Sequence, residues 1–290
     1  MKIIEDLHIH TRVSKDCKED PEKYVVEAIR REIDYLGFSD HLDLDPVDKD
    51  FGYYNFDTAY NDYMLLNKKY GDRINFLFGV EVTYQSELEE SIKEHIENKP
   101  YDFIIGSVHR LEGHTVAGVR GKEFFKVKDE ETAYRMYFEE LYRMVDTDFF
   151  QIVGHFDVIK RFGIEFYGKF NAEKYLDIIE PTLRKMVKKG IVLEINSSGF
   201  RQLPKEMYPS KEILSMYASS GGREIIIGSD AHTIEQFGMG LCKAINIAKE
   251  IYDFDIVTFI KREKVNLGKL SFLKPITDKI QNSFKLTLDK

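Results

Sequence analysis

Histidines recur in this chain at positions that indicate metal chemistry. His8 and His10 lie in the segment Asp6-Leu7-His8-Ile9-His10-Thr11, which is followed closely by Asp16. In extended backbone, alternate side chains project from the same face, so the two imidazoles are expected on one side, about 7 Å apart. Two imidazoles held in this way can bind one divalent ion, and Asp16 is a further candidate ligand.

The elements that must position these residues are short apolar strands alternating with amphipathic helices. Strands are predicted at 2–5, 35–38, 74–82, 102–108, 149–153, 191–196 and 224–227, and no clear strand is predicted after residue 227. Helices are predicted at about 20–34, 57–70, 86–98, 129–145, 172–189, 210–218 and 237–252. This alternation is typical of parallel βα units, so the predicted fold class is α/β.

Two helix starts have recognisable capping residues. Asp20 precedes Pro21 and is predicted to be an N-cap with proline at the first helical position. Ser86 and Glu89 have the spacing of a capping box, which predicts that a helix begins there.

The candidate ligands follow the predicted strands around the whole fold. Six of the eight histidines stand at strand ends, as do two carboxylates: His8, His10, His41, His109, His155, His232, Glu81 and Asp230. An open parallel sheet binds ligands where a few strands diverge, whereas a barrel gathers residues from all its strand ends at one face. The distribution therefore favours a barrel. His95 and His114 are interpreted as surface residues.

Nine nitrogen and oxygen ligands without a thiolate exceed the needs of one four-coordinate zinc ion. They suit two or three ions of the zinc, manganese or iron type, with Glu81 able to bridge two of them. Two ions about 3.5–4 Å apart can hold a hydroxide and stabilise a phosphoryl transition state. The sequence lacks a serine-hydrolase elbow, a Walker loop and a dinucleotide-binding glycine motif.

Composition limits the partners and the location. The formal charge of −8 argues against a surface for long nucleic acids, which draws on lysine and arginine. Cys17 and Cys242 form neither a disulfide framework nor a thiolate zinc site. No signal peptide or run of about 20 apolar residues is recognised, so a cytoplasmic protein without membrane contact is expected. The predicted division is one domain over 1–270 and a tail over 271–290.

Six motifs together resemble the ordered motifs of the polymerase and histidinol phosphatase (PHP) superfamily, over about residues 3–240. They are Asp6-Leu7-His8-Ile9-His10-Thr11, Ser39-Asp40-His41, Gly79-Val80-Glu81, Gly106-Ser107-Val108-His109, Gly154-His155 and Gly228-Ser229-Asp230-Ala231-His232. Within the superfamily, the segments 194–201 and 208–210 resemble the histidinol-phosphate phosphatase branch.

This resemblance implies a distorted seven-stranded, TIM-like (βα)7 barrel with three divalent ions of zinc, manganese or iron. The first ion is expected to bind His8, His10, Glu81 and Asp230. The second is expected to bind Glu81, His109 and His155. The third is expected to bind Asp16, His41 and His232. Some family members have a histidine where this chain has Asp16.

The expected activity is metal-dependent hydrolysis of a small phosphomonoester, with L-histidinol phosphate as the leading substrate. A hydroxide between the ions, held with the help of Glu81 and Asp230, is expected to attack phosphorus. Arg161 and Arg201 are the candidate phosphate-binding residues, because arginine complements phosphate bidentately.

One residue departs from the expected branch pattern. Arg110 follows His109 where an apolar or aromatic residue is expected, which indicates either a changed pocket or a side chain turned outward. Another small phosphomonoester is therefore an alternative substrate, and a phosphodiesterase or nuclease is the next alternative. A metal-binding barrel without activity is the least favoured hypothesis.

Overall fold

The computed structural model of the chain describes residues 3–118 and 121–273. Its strands are β1 Glu5–Asp6, β2 Tyr35–Phe38, β3 His41–Leu42, β4 Asn75–Thr83, β5 Phe103–Ser107, β6 Arg110–Leu111, β7 His114–Thr115, β8 Ile152–Val153, β9 Val192–Asn196, β10 Glu224–Gly228, β11 Asp255–Ile260 and β12 Glu263–Lys269. Its helices are α1 Pro21–Arg30, α2 Phe56–Tyr70, α3 Glu89–Ile96, α4 Lys122–Val127, α5 Glu130–Asp146, α6 Lys160–Tyr167, α7 Leu176–Lys189, α8 Lys211–Ser219 and α9 Leu241–Ile251. The predicted α/β class is confirmed.

Seven parallel strands form the main sheet, in the order β1-β2-β4-β5-β8-β9-β10. The backbone that follows β1 pairs with the carboxyl end of β10. The Leu7 N–H donates to the Ile227 carbonyl at 3.0 Å, and the His10 N–H donates to the Ala231 carbonyl at 2.9 Å. Together with the parallel bridge between Ile9 and Ala231, these bonds join β1 to β10. The sheet therefore closes into a ring at its carboxyl ends.

The interior of this ring is filled by apolar side chains from the strands. They form one buried cluster of Leu7, Leu77, Phe103, Ile105, Ile152, Val192, Ile226, Val257 and Phe259. The ring of Phe103 fits because two neighbouring positions are glycine. A Cβ at Gly37 would lie 2.7 Å from that ring and one at Gly79 only 2.2 Å. The barrel is therefore a packed core and not a pore.

A β-hairpin that the sequence analysis did not predict lies across the amino-terminal end of the barrel. Its first strand, β11, pairs in parallel with the start of β10 and antiparallel with β12. At the hairpin turn, the Lys261 N–H donates to Asp102, which directly precedes β5, at 2.9 Å. The hairpin thus runs from β10 to the opposite side of the ring, and it contributes Val257 and Phe259 to the interior.

The helices cover the outside of the sheet, and their starts test the capping predictions. Asp20 accepts a hydrogen bond from the Glu22 N–H and caps α1, as predicted. The prediction of a capping box at Ser86 is wrong. Ser86 begins a short 3-10 turn instead, and both its N–H and its hydroxyl donate to Glu140 of α5, so a tertiary contact replaces the local cap.

Two further features bear on the organisation of the chain. Most of the predicted tail, residues 274–290, lies outside the described residues, and Leu270–Phe272 forms a 3-10 turn packed near α9. Among the residues that the structure describes, no helix combines the length and the apolar character that crossing a membrane requires.

Candidate metal centre

The candidate ligands meet at the carboxyl-terminal face of the barrel. They follow β1 (His8, His10, Asp16), β5 (His109), β8 (His155) and β10 (Asp230, His232), while His41 begins β3 and Glu81 lies within β4. Because parallel strands present their carboxyl ends at one face, side chains far apart in sequence converge there. The structure thus brings together all nine residues that the sequence analysis named as ligands, with Asp16 at the rim.

One oxygen of the Glu81 carboxylate faces three of these histidines. Glu81 Oε2 lies 2.8 Å from His41 Nδ1, 3.3 Å from His8 Nε2 and 3.6 Å from His10 Nε2. The Glu81 side chain is completely buried, as are those of His8 and His10.

The second oxygen faces a different pair of histidines. Glu81 Oε1 lies 2.9 Å from His155 Nε2 and 3.4 Å from His109 Nε2, and it accepts a hydrogen bond from the Ser107 hydroxyl at 2.6 Å. The two histidine Nε2 atoms are 3.2 Å apart. Glu81 therefore lies between two groups of imidazoles, a position from which a carboxylate can serve two ions.

Asp230 and Asp16 occupy the opposite side of the cluster. Asp230 Oδ1 lies 3.4 Å from His10 Nε2 and also 3.4 Å from His232 Nδ1. Asp16 Oδ2 lies 3.3 Å from His232 Nε2 and 3.8 Å from His41 Nε2. The Asp16 side chain is half exposed, so this end of the cluster is the one closest to solvent.

The chemistry of the donor atoms fits divalent cations. Within the described residues, His8 Nε2, His10 Nε2, His41 Nδ1 and Glu81 Oε2 are buried atoms without a hydrogen-bond partner. Buried polar atoms are normally satisfied, and these four point toward one another, which is the arrangement a bound cation satisfies. The groups of ligand atoms within 4.8 Å of one another are His8–His10–Asp230, His8–Glu81–His155, His41–Glu81–His109 and His10–His41–His232.

These groups overlap the three predicted ligand sets without reproducing them. His10 joins His41 and His232, where the prediction had placed Asp16, and His41 also approaches Glu81. The shared members reflect how tightly the rings pack, since the His10 ring lies 4.1 Å, centroid to centroid, from both His41 and His232.

At Glu81, His10 and His109, the electrostatics favour the protonation states that metal ligation requires. Burial raises the pKa of Glu81, but the neighbouring histidines outweigh it and hold that pKa well below its usual value. Burial lowers the pKa of His109 to about 3, and burial with nearby His232 and His41 lowers the pKa of His10. A carboxylate that stays ionised and imidazoles that stay neutral are the forms that bind metal.

The carboxylates also make the centre of the cluster attractive to positive charge. Burial lowers the pKa of His8, but the carboxylates of Glu194 and Glu81 raise it well above its usual value. The pKa of His41 rises to about 10, since Glu81 and Asp16 outweigh the effect of burial.

Glu194 is a residue of the centre whose role the sequence analysis missed. Its Oε1 accepts from His8 Nδ1 at 2.7 Å, and its Oε2 accepts from the His155 N–H at 2.6 Å. The space for this contact depends on Gly228, where a Cβ would lie 2.2 Å from Glu194 Oε1. The available signal was a charged residue in the apolar strand β9, two positions after the interior residue Val192.

Six of the nine candidate ligands line a cavity of about 730 Å³, which also contains both candidate phosphate-binding residues. Arg161 Nη1 donates to the Ala117 carbonyl at 2.9 Å. Arg201 donates through Nη2 to the Asp230 carbonyl, while its Nη1 is buried without a hydrogen-bond partner in the described part of the chain. Two guanidinium groups therefore lie in the same cavity as the imidazole cluster.

Arg110 is turned inward, and its charge is compensated. Its side chain is buried at the cavity wall, where Nε donates to Asp45 at 2.9 Å and Nη1 donates to Asp48. The third nitrogen, Nη2, donates to the Gly113 carbonyl. Of the two alternatives for Arg110, the outward side chain is therefore wrong. Arg110 connects the acidic loop after β3 to the hairpin of β6 and β7.

Comparison with known proteins finds a matching family and similar chains. The model of the PHP domain family matches residues 6–198. A histidinol-phosphatase of Lactococcus lactis subsp. lactis (strain IL1403) is 28% identical over 255 residues, which cover 88% of this chain and 93% of that protein.

Two solved structures resemble the fold. The crystal structure of histidinol phosphate phosphatase from Lactococcus lactis, complexed with zinc, L-histidinol and phosphate, superposes with a TM-score of 0.81 at 26% identity, covering 90% of this chain and 98% of that one. A structure from Listeria monocytogenes superposes with a TM-score of 0.74 at 20% identity, covering 82% and 99% of the two chains. The second likeness shows the shared fold.

Proposed function

The chain belongs to the PHP domain family, and from this premise we propose that it is a metal-dependent phosphomonoesterase that hydrolyses L-histidinol phosphate to L-histidinol and phosphate. The relative from Lactococcus lactis carries the name of this activity, and its crystal structure contains zinc together with both products of the reaction.

The observation that carries the proposal is the position of Glu81. Its two oxygens face separate groups of imidazole nitrogens, and three of those histidines, His41, His109 and His155, line the cavity that also contains Arg161 and Arg201. A cluster that collects cations, next to two guanidinium groups, is complementary to the dianionic end of a phosphomonoester.

We propose three divalent ions of zinc, manganese or iron as the resident cofactors. The sets of ligands are His8, His10, Glu81 and Asp230 for the first ion, Glu81, His109 and His155 for the second, and Asp16, His41 and His232 for the third. Such ions lower the pKa of water and neutralise phosphate charge, which are the two requirements of monoester hydrolysis.

The residues of the chain then perform three tasks. Glu81 and Asp230 place the attacking water beside phosphorus, and Arg161 and Arg201 bind and orient the phosphate oxygens. Water forms the new P–O bond while the bond to the histidinol oxygen breaks, and a proton that the water gives up ends on that oxygen. The buried ligand cluster limits the access of bulk water to the reacting atoms.

The test offers purified protein, reconstituted with zinc or manganese, to histidinol phosphate, to other phosphomonoesters and to bis-p-nitrophenyl phosphate. The expected result is a kcat/KM for histidinol phosphate that exceeds those for generic monoesters and for the diester. Equal rates for histidinol phosphate and generic monoesters would refute the specific substrate, and a preference for the diester would favour a phosphodiesterase. Elemental analysis showing fewer than two ions per chain would contradict the metal mechanism.

A further inference from the structure

Two candidate ligands, His10 and His109, each contact a hydroxyl group that also contacts a carboxylate. The first arrangement joins His109, Thr83 and Asp43. The Thr83 hydroxyl donates to Asp43 Oδ1 at 2.6 Å, and Thr83 Oγ1 lies 3.0 Å from His109 Nδ1. The shorter distance is that of a charge-assisted O–H···O⁻ bond, which places the only hydroxyl hydrogen of Thr83 on the carboxylate side.

The second arrangement joins His10, Ser14 and Asp40 on another side of the cluster. The Ser14 hydroxyl donates to Asp40 Oδ1 at 2.7 Å, and Ser14 Oγ lies 3.1 Å from His10 Nδ1. Asp40 is buried and also accepts from the N–H and the hydroxyl of Thr11, which fixes its orientation. The same sequence of carboxylate, hydroxyl and imidazole thus occurs twice.

The direction of these bonds determines the state of each imidazole. A hydroxyl has one hydrogen and accepts with its lone pairs, so a hydroxyl that donates to a carboxylate must accept from its other partner. His10 and His109 must therefore carry their proton on Nδ1. Their Nε2 lone pairs then face the cluster, where His10 Nε2 lies 3.4 Å from Asp230 Oδ1 and His109 Nε2 lies 3.4 Å from Glu81 Oε1.

We propose that Asp40–Ser14 and Asp43–Thr83 are two positioning relays that hold His10 and His109 in the tautomer required for metal binding. The proposal rests on the proposed function for the presence of metal, and it adds residues that lie outside the three proposed sets of ligands. Both carboxylates belong to the segment Asp40-His41-Leu42-Asp43, so one stretch of chain, centred on the ligand His41, orients two further ligands.

The relays are expected to control different ions. In the proposed ligand sets, His10 belongs to the first ion and His109 to the second. Loss of an outer partner of a metal-binding histidine typically weakens metal affinity about 10- to 100-fold. Ser14→Ala should therefore weaken one zinc site and Thr83→Val a different one, each leaving the other sites near their original affinity.

The experiment measures stepwise zinc dissociation constants by competition with a chromophoric chelator. Thr83→Val keeps the shape of the buried side chain but removes the hydroxyl, and Thr83→Ser restores the hydroxyl. Thr182→Val is the matched control, because Thr182 is equally buried and bonds to a backbone carbonyl within α7. We expect weakening of one site in Thr83→Val, affinities near those of the parent protein in Thr83→Ser, and no change in the control.

A second measurement reads the tautomer directly. Nitrogen-15 spectra of the metal-free protein should show His109 protonated on Nδ1 in the parent and in Thr83→Ser, and a mixture of tautomers in Thr83→Val. Asp43→Asn covers the case in which Thr83→Val fails to fold, because an amide that donates to Thr83 frees its hydroxyl hydrogen to turn toward His109. Unchanged spectra together with unchanged zinc constants would overturn the proposal.

These outcomes separate this inference from the proposed activity. If Thr83→Val changes the tautomer and one zinc constant while the parent protein hydrolyses no phosphate ester, the relay stands and the proposed function fails. If the parent hydrolyses histidinol phosphate while Thr83→Val has the tautomer and zinc constants of the parent, the function stands and the relay is refuted.

Discussion

The carboxylate of Glu194 lies 2.7 Å from Nδ1 of His8, and both side chains are completely buried. Since a carboxylate accepts but does not donate, this contact places a proton on Nδ1 of His8 and leaves Nε2 facing Glu81. Glu194 therefore performs for His8, through a direct bond, the task that hydroxyl groups perform for His10 and His109.

Glu194→Gln should weaken one zinc site about 10- to 100-fold, because the amide loses the charge that supports the His8 proton. The measurement is zinc competition, with Glu180→Gln on the exposed face of α7 as the control. An unchanged affinity in Glu194→Gln would remove Glu194 from the centre.

Glu81→Gln should abolish hydrolysis while the fold is kept. The carboxylate faces imidazole nitrogens with both oxygens, and an amide nitrogen in either position cannot bind a cation. The check is kcat together with the circular dichroism spectrum, and Glu87→Gln, at an exposed position before α3, is the control. A folded variant with full activity would refute the bridging role.

Arg161→Ala should lower kcat/KM by roughly 10- to 150-fold, since a hydrogen bond to a charged group contributes about 1.5–3 kcal/mol. A larger effect on KM than on kcat would indicate a contact made in the ground state. Arg184→Ala, on the exposed side of α7, should leave both constants unchanged. An unchanged kcat/KM in Arg161→Ala would exclude Arg161 from phosphate binding.

Removal of metal should destabilise the protein as well as inactivate it. Ligand that binds only the folded state adds about 2.7 kcal/mol at 100 times its Kd, which corresponds to about 4–5 °C in Tm for a chain of this size. Calorimetry before and after exhaustive chelation measures this difference, and added zinc or manganese should restore both Tm and activity. Equal Tm values with and without chelator would argue against metal bound at the buried cluster.

The buried carboxyl group of Glu5 should make the free energy of unfolding fall as pH rises. Burial raises its pKa well above the usual 4.5, against the Ile227 N–H that donates to its carboxyl oxygen. The folded chain keeps a proton that the unfolded chain releases above about pH 4.5, so this contribution to stability is present below that pH and is lost as pH rises toward the folded pKa.

The measurement compares urea unfolding of Glu5→Gln and the parent from pH 5 to pH 8. The advantage of the variant in free energy of unfolding should grow with pH, because glutamine has no proton to release. Exposed Glu263→Gln should show a constant difference from the parent. A pH-independent difference for Glu5→Gln would contradict the buried protonated state.

Much of the centre could be predicted because its residues stand where strands end. His8, His109 and His155 follow short apolar runs, and a parallel sheet brings such positions to one face. Their positioning partners could not be predicted in the same way. Thr83 and Glu194 are ordinary strand residues in the sequence, and their roles depend on histidines that follow other strands and that only the folded sheet brings alongside.

Arg110 and the hairpin of β11 and β12 show a second limit of sequence reasoning. Arg110 was open to two interpretations because its partners, Asp45 and Asp48, lie about 60 positions away along the chain. The strand Asp255–Ile260 has suitable β-branched residues but lies beyond the repeating strand–helix units, so the pattern that located the other strands did not extend to it.

The hairpin across the amino-terminal end of the barrel also limits the routes by which molecules enter and leave the cavity. With β11 beneath and Phe103 filling the interior, the ligand cluster is reached from the carboxyl-terminal face, where the cavity lies. In the proposed function, substrate and both products use the same opening, so a phosphate ion still bound to the proposed binding residues Arg161 and Arg201 would block the next molecule. Inorganic phosphate is accordingly expected to be a competitive inhibitor.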